Sequence, residues 1–314
     1  MRQEKDGSAP GNPPATAGHP SRAPSPVHQS TTLETLAIDD RLREIVRQSL
    51  EEDIGPGDVT TGPIIPPQQK GSARVVAKQE GVFCGAPVFR EVFAQVDASV
   101  AVSTPLQEGE PVRGGQTVFT LDGPLASILT GERVALNFLS MLSGVATTTS
   151  HYAHAVRHTP ARILDTRKTT PLHRKLEKYA VRVGGGVNHR EALYDMVLIK
   201  ENHHDACGGI ANAVKAVRER WADRFRVEVE TRNLDEVRQA LDCRVDRIML
   251  DNMDLPTIRE AVALIGDQAE IEASGGVNLE NIVAIAEAGV DFVSIGRLTH
   301  SNQWVDYSML VRSE

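Results

Sequence analysis

Between Ala161 and Ile295 the chain alternates short β-rich runs with helical segments six times. The runs end near Thr166, Lys200, Glu230, Leu250, Ala273 and Ile295, a mean repeat of about 26 residues. A complete (β/α)₈ barrel of ~250 residues uses ~31 per unit. A helix between two strands of one sheet is a crossover, so those strands must run parallel. Six units instead of eight predict an incomplete, TIM-like α/β barrel. One linking helix is legible in detail: Thr170 suits its cap and Pro171 its first turn. Leu172, Leu176, Tyr179, Ala180 and Val183 would form its apolar face, and Gly184 its stop.

The chain ahead of the barrel reads differently. Residues 1–32 are rich in Pro, Ser, Ala and Gly and nearly free of large apolar side chains. Such a stretch buries too little surface to offset its ordering entropy, which predicts a disordered tail. A first domain is expected over residues 33–123. It would carry a helix from Asp39, with Leu42, Ile45, Val46 and Leu50 on one face, then strands at Ala73–Ala77 and Gln116–Thr120. A small sheet with helices on one side follows. The barrel would occupy residues 124–302, opening on a helix through Leu125, Ile128, Leu129, Leu136 and Leu139.

Composition narrows the function classes. A formal charge of -8 disfavours a general nucleic-acid binder, so any anion site must be local. No uninterrupted apolar run approaches the ~20 residues of a membrane span, and no apolar export signal is evident. Glu4 and Asp6 suit a transit peptide poorly, so a cytoplasmic enzyme is expected. Cys84, Cys207 and Cys243 show no metal-ligand spacing. The run from Val112 to Leu121 is compatible with a carrier hairpin, but Lys78 lacks the surroundings of a carrier lysine, and a structural hairpin is preferred.

In a parallel barrel the reactive groups project from the C-terminal ends of the strands. Here those ends carry Arg167-Lys168, Lys200, Glu230, Asp251, Ser274-Gly275-Gly276 and Gly296. Six such ends in succession predict one active-site rim. From Ala161 to His204 nine Lys or Arg face five acids, a local +4 in an acidic chain. Arg174, Lys175 and Lys178 are expected on a solvated helix face. Arg167, Lys168, His189, Arg190 and Lys200 suit a ligand with several carboxylates or phosphates. Glu230 and Asp251 would repel such a ligand unless Mg²⁺ or ribose hydroxyls intervene; a structural ion pair is the alternative. Ser274-Gly275-Gly276, before a helix expected near Asn278, and Ser294-Ile295-Gly296 suggest a phosphate cradle. Gly184-Gly185-Gly186 follows a helix and so fails as a dinucleotide fingerprint. His203-His204-Asp205 is expected to be a surface loop.

Taken in order, these motifs resemble the quinolinate phosphoribosyltransferases. The resemblance is carried by Glu52-Asp53-Ile54, Gly57-Asp58-Val59-Thr60-Thr61, Gly131-Glu132-Arg133 and Asp165-Thr166-Arg167-Lys168-Thr169-Thr170-Pro171. It continues through Asn188-His189-Arg190, Leu198-Ile199-Lys200-Glu201-Asn202-His203, Glu228-Val229-Glu230 and Met249-Leu250-Asp251-Asn252 to the two glycine turns. It implies an N-terminal α/β sandwich joined to an open α/β barrel, a homodimer or higher homo-oligomer with shared sites, and residues 303–314 returning to the first domain. It further implies phosphoribosyl transfer from phosphoribosyl pyrophosphate to quinolinate, with loss of CO₂. By the same resemblance Arg133, Thr166, Arg167, Lys168, His189, Arg190 and Lys200 would bind quinolinate and neighbouring phosphates, Arg133 from the partner subunit. Glu230 and Asp251 would hold ribose and Mg²⁺, and Ser274, Gly275, Gly276, Ser294 and Gly296 the 5′-phosphate. Lys168, Lys200, Glu230 and Asp251 are the catalytic candidates. A related phosphoribosyltransferase linked to molybdenum uptake, a barrel lyase or isomerase with a lysine base, and a non-catalytic binder are the competing readings.

Overall fold

A computed structural model describes residues 35–313, and the expected tail over residues 1–32 lies outside them. The first part of the chain runs α1 (Asp40–Ile54), α2 (Thr61–Ile64), β1 (Lys70–Ala77), β2 (Gly81–Val82), α3 (Ala86–Val96), β3 (Ala101–Ser103), β4 (Pro111–Val112) and β5 (Thr117–Pro124). Asp39 caps α1 by accepting the Leu42 N–H at 3.0 Å, and the helix buries Leu42, Ile45, Val46 and Leu50 as its spacing predicts. Phe89 and Phe119 stack at 4.0 Å, binding α3 to the sheet. Each fully buried aromatic of this kind contributes roughly 1.5–3 kcal/mol.

Next comes α4 (Leu125–Val156), 32 residues long. It meets the length and hydropathy of a membrane span, although no uninterrupted apolar run foretold this. Much of it is buried within the fold, including Leu136, Leu139, Leu142 and Val145, so it acts as a central core helix.

The remaining elements are β6 (Arg162–Leu164), α5 (Arg174–Val183), β7 (Val197–Ile199), α6 (Glu201–Ala206), α7 (Ile210–Trp221), β8 (Val227–Thr231), α8 (Leu234–Asp242), β9 (Arg247–Asp251), α9 (Leu255–Ile265), β10 (Glu270–Ser274), α10 (Ile282–Glu287), β11 (Phe292–Ser294), α11 (Arg297–His300) and β12 (Tyr307–Ser313). Six parallel strands form one sheet in the order β6-β11-β10-β9-β8-β7. β6 and β7 are its edges, so the barrel is open between them. β12 pairs antiparallel with β1 from Gly71↔Ser313 to Ala77↔Tyr307, in the sheet β12-β1-β5-β3.

Three local expectations are corrected. The helix expected from Pro171 starts at Arg174 instead. Thr170 forms a turn with His173, and Leu172 sits exposed with φ +69°, off the apolar face. His203-His204-Asp205 is part of α6, with His204 buried. The helix expected near Asn278 begins only at Ile282, because Asn278 and Asn281 bond to local backbone N–H groups and form a turn. Gly184 has a packing role: a Cβ there would stand 2.3 Å from the Ala146 carbonyl, so only glycine lets the end of α5 pass α4 this closely.

Candidate active site

A cavity of about 1020 Å³ opens at the C-terminal ends of the six parallel strands. Thr166, Arg167, Lys168, His189, Arg190, Lys200, Glu230, Asp251, Ser274, Gly275, Gly276, Ser294 and Gly296 all line it. Arg133 does not: it is exposed on α4 and makes no hydrogen bond or salt bridge among the described residues.

The cationic side is built from β6, β7 and the segment between them. Lys168 is fixed through its backbone, whose N–H donates to Thr166 Oγ1 at 3.0 Å and whose carbonyl accepts from Thr299 at 2.6 Å. Arg190 donates to the Met196 carbonyl at 3.2 Å, and partial burial pulls its pKa down. The helix face expected to be solvated is so only at Lys175. Lys178 is buried and pairs with buried Asp165 at 2.5 Å. Burial pushes the Asp165 carboxyl up, against the opposing pull of Lys178. Arg174 bonds Thr169 Oγ1 and the carbonyls of Glu191 and Arg167, tying the loop after β6 to α5. Lys175 alone reaches outward, to Asp39 at 2.5 Å.

The acidic side rests on β8 and β9. Lys200 Nζ donates to Glu230 Oε2 at 2.7 Å, leaving the other oxygen of Glu230 for a ligand. Asn252 donates to Asp251 Oδ2 at 2.6 Å, while its own N–H bonds the Ser274 carbonyl. That link holds Asn252 at φ +53°, a left-handed conformation that Asn tolerates better than most side chains. Gly275 faces it at φ +93°, and a Cβ there would fall 2.2 Å from Asn252 Oδ1. The glycine turn and Asn252 are therefore fitted to each other.

Beneath the rim lies a group that pattern reading missed. His189 Nε2 is 3.1 Å from Glu228 Oε2 and 3.5 Å from Glu272 Oε2, all within the barrel. The 3.1 Å contact is not a formed hydrogen bond, and Glu228 draws instead on the side chain of Glu272 and on the charge of Arg247. The three side chains could surround a cation. Two features oppose that use. His189 Nδ1 accepts the Arg190 N–H at 2.7 Å, which puts the neutral ring's proton on Nε2, where a metal would need a lone pair. Arg247 also bonds Glu272 at 3.1 Å. Burial, and then the neighbouring Glu228, push the Glu272 carboxyl up to about 8. Burial pushes Glu228 up and His189 down as well. Inward-facing acids on alternate strand positions were the available signal, but Glu228 and Glu272 look like ordinary surface residues in a single sequence. His300 and Asn252 also line the cavity and were not singled out.

Two family descriptions cover nearly all of this architecture. The quinolinate phosphoribosyl transferase N-terminal domain matches residues 58–143, and the C-terminal domain of the same name matches residues 145–310. The chain belongs to the quinolinate phosphoribosyltransferase family. It is a phosphoribosyltransferase. A probable nicotinate-nucleotide pyrophosphorylase (carboxylating) of Synechocystis is 45% identical over 269 residues, covering 85% of this chain and 91% of that protein. Its Bacillus subtilis counterpart is 41% identical, with 86% and 93% covered. Among solved structures, NadC from Streptococcus pyogenes superposes with a TM-score of 0.86 at 38% identity, covering 90% of this chain and 99% of that one. The open barrel and the expected fold class agree with these structures.

Proposed function

We propose that the rim cavity carries the family's reaction: quinolinate and phosphoribosyl pyrophosphate give nicotinate mononucleotide, CO₂ and pyrophosphate, a step of NAD biosynthesis. The observation that carries this reading is the division of one cavity into a basic half and an acidic half. Arg167, Lys168, Arg190 and Lys200 supply more positive charge than one carboxylate needs, whereas Glu230 and Asp251 suit ribose hydroxyls and a hard cation.

The reaction needs no covalent nucleophile. Pyrophosphate leaves C1 of the ribose with the bonding pair, and the pyridine nitrogen forms the new bond. Positioning and electrostatics supply most of the rate. The basic half would orient the two quinolinate carboxylates. Glu230 and Asp251 would hold the ribose and offset its developing positive charge. Ser274, Gly275, Gly276, Ser294 and Gly296 would cradle the 5′-phosphate. As CO₂ departs, its bonding pair stays on C2, where the adjacent quaternised nitrogen stabilises it by charge, and a proton taken up from water then completes the C2–H bond.

Glu230 and Asp251 present oxygen donors on adjoining strands, a set that fits Mg²⁺ with retained waters and substrate oxygens. When bound, Mg²⁺ would neutralise charge on the leaving pyrophosphate. The Lys200 bond to Glu230 makes Asp251 the better placed of the two for direct contact.

A homodimer with shared sites belongs to the same reading. It is supported by Arg133, which makes no hydrogen bond or salt bridge among the described residues, and by uncovered apolar side chains: Val59 85%, Leu193 73% and Tyr194 73% exposed. We also divide the chain at residues 123/124, one residue before β5 gives way to α4, with β12 belonging to the first domain. The functional test is pyrophosphate release with Mg²⁺ and phosphoribosyl pyrophosphate. Quinolinate should support it and nicotinate should not; equal turnover of nicotinate would overturn the assignment, because nicotinate lacks the carboxylate that is lost.

A further inference from the structure

The parallel ladder runs from β7 through β8, β9, β10 and β11 to β6, leaving a seam between its two edges. The basic groups assigned to quinolinate straddle that seam. Arg167 and Lys168 follow β6, Lys200 follows β7, and His189 and Arg190 lie on the chain between. A single parallel bridge, Leu164↔Val187, reaches into this segment, and no continuous pairing extends to His189 and Arg190.

A buried charge pair stands there instead. Asp165, the residue after β6 and fully buried, accepts three bonds. Its Oδ1 takes Lys178 Nζ at 2.5 Å and the His189 backbone N–H at 2.8 Å, and its Oδ2 takes Asn188 Nδ2 at 2.6 Å. Lys178, from α5, also donates to the His189 carbonyl at 3.0 Å, and Asn188 donates to the Lys178 carbonyl at 2.9 Å. The backbone N–H and C=O of His189 are therefore held by the two members of one ion pair. Neither Asp165 nor Lys178 lines the cavity.

We propose that Asp165 and Lys178 are positioning residues that tie the chain between β6 and β7 to the β6 side of the seam and set the distance of His189 and Arg190 from Arg167. They thereby determine affinity for the acceptor's carboxylates. The proposal rests on the functional reading above. Its physical basis is a requirement for both a donor and an acceptor. An apolar pair of equal volume would avoid the desolvation cost of two buried charges. It would also leave the amide N–H and C=O of His189 without partners in a buried place. A carboxylate and an ammonium satisfy both, and the carboxylate stays one residue from the strand whose loop bears Arg167.

The test compares three variants with the wild type by calorimetric titration of quinolinate and, separately, of phosphoribosyl pyrophosphate with Mg²⁺, with thermal melting as a fold check. Lys178→Met strands a buried carboxylate. Asp165→Asn combined with Lys178→Met removes both charges at nearly constant volume. Asn188→Ala deletes one arm and keeps the pair. Folded Lys178 variants should bind quinolinate about tenfold more weakly or worse, because small displacements of paired charges are costly. Their affinity for phosphoribosyl pyrophosphate should stay at the wild-type value, and Asn188→Ala should show the smallest quinolinate effect. Unchanged quinolinate affinity in the double variant, or a parallel loss for both substrates, overturns the proposal. If neither Lys178 variant folds, Asn188→Ala decides: wild-type quinolinate affinity there overturns it. A wild type that fails to bind quinolinate overturns the functional reading instead, which is a separate result.

Discussion

The two halves of the cavity are built by different means. On the acidic half, Glu230, Asp251 and Ser274 stand on neighbouring strands whose register is set by backbone pairing: Glu230 lies against Met249, and Asp251 against Ser274. On the basic half the sheet is open, and the spacing of Arg167, Arg190 and Lys200 depends on side chains and loops. A ladder places groups through many shared hydrogen bonds, whereas the seam relies on a few buried ones. The acidic half should therefore lose chemistry without losing structure when one side chain is changed. The basic half should be open to loss at a distance.

The largest expected effect comes from the acidic half. Glu230→Gln or Asp251→Asn should lower turnover by about 10²–10³-fold, the scale of removing one preorganised electrostatic group. Quinolinate affinity, read by calorimetry, should stay near the wild-type value. If affinity fell in step with turnover, the two halves would not be separable.

The basic half is sharpened by mixing subunits. Arg133→Ala and Lys200→Ala proteins should each be inactive alone. After subunit exchange, random mixing should restore roughly a quarter of wild-type activity, since one mixed dimer holds one intact site. Verified mixed dimers that remain inactive would place Arg133 within its own chain's chemistry and end the shared-site reading.

A smaller effect is expected at the cradle. Gly275→Ala puts a methyl group against Asn252 and should weaken phosphoribosyl pyrophosphate binding about tenfold, with quinolinate binding spared. Loss of both would show that the turn supports the whole rim.

The smallest effect is a pH dependence. Glu272 keeps its proton in the folded state up to about pH 8, whereas an unfolded glutamate loses it near 4.5. Between those values the folded state binds more protons than the unfolded one, so this residue's contribution to stability falls as pH rises and levels off above about 8. Glu272→Gln removes that dependence. Its melting temperature relative to wild type should climb from pH 5 to pH 8, by a few degrees if the difference reaches about 1 kcal/mol. A constant difference across that range would show that Glu272 is ionised throughout.

Much of the site was legible because strand ends in a parallel barrel fall at predictable intervals, and Lys200, Glu230 and Asp251 each close a short β-rich run. Spacing alone made them neighbours once strand order followed chain order. The reading of Lys178 failed for a definite reason. Its neighbours Arg174 and Lys175 share its charge, and a basic helix surface is ordinarily wet. Burial depends on α5 packing against α4 with Lys178 facing Asp165 at the end of β6, which no local pattern encodes. Glu228 and Glu272 were passed over similarly, since alternate positions of a strand can face solvent or a barrel interior.

Local chemistry in the sequence thus determined the six parallel units, the polar strand ends and the glycine turn at Ser274-Gly275-Gly276, because periodicity and backbone freedom act over a few residues. The tertiary structure alone decided where the sheet stays open, which lysine becomes buried, and how Asp165 reaches the amide of His189, 24 residues away. Those outcomes depend on which elements meet in space. A bond between distant segments gains its strength from the water that their packing excludes.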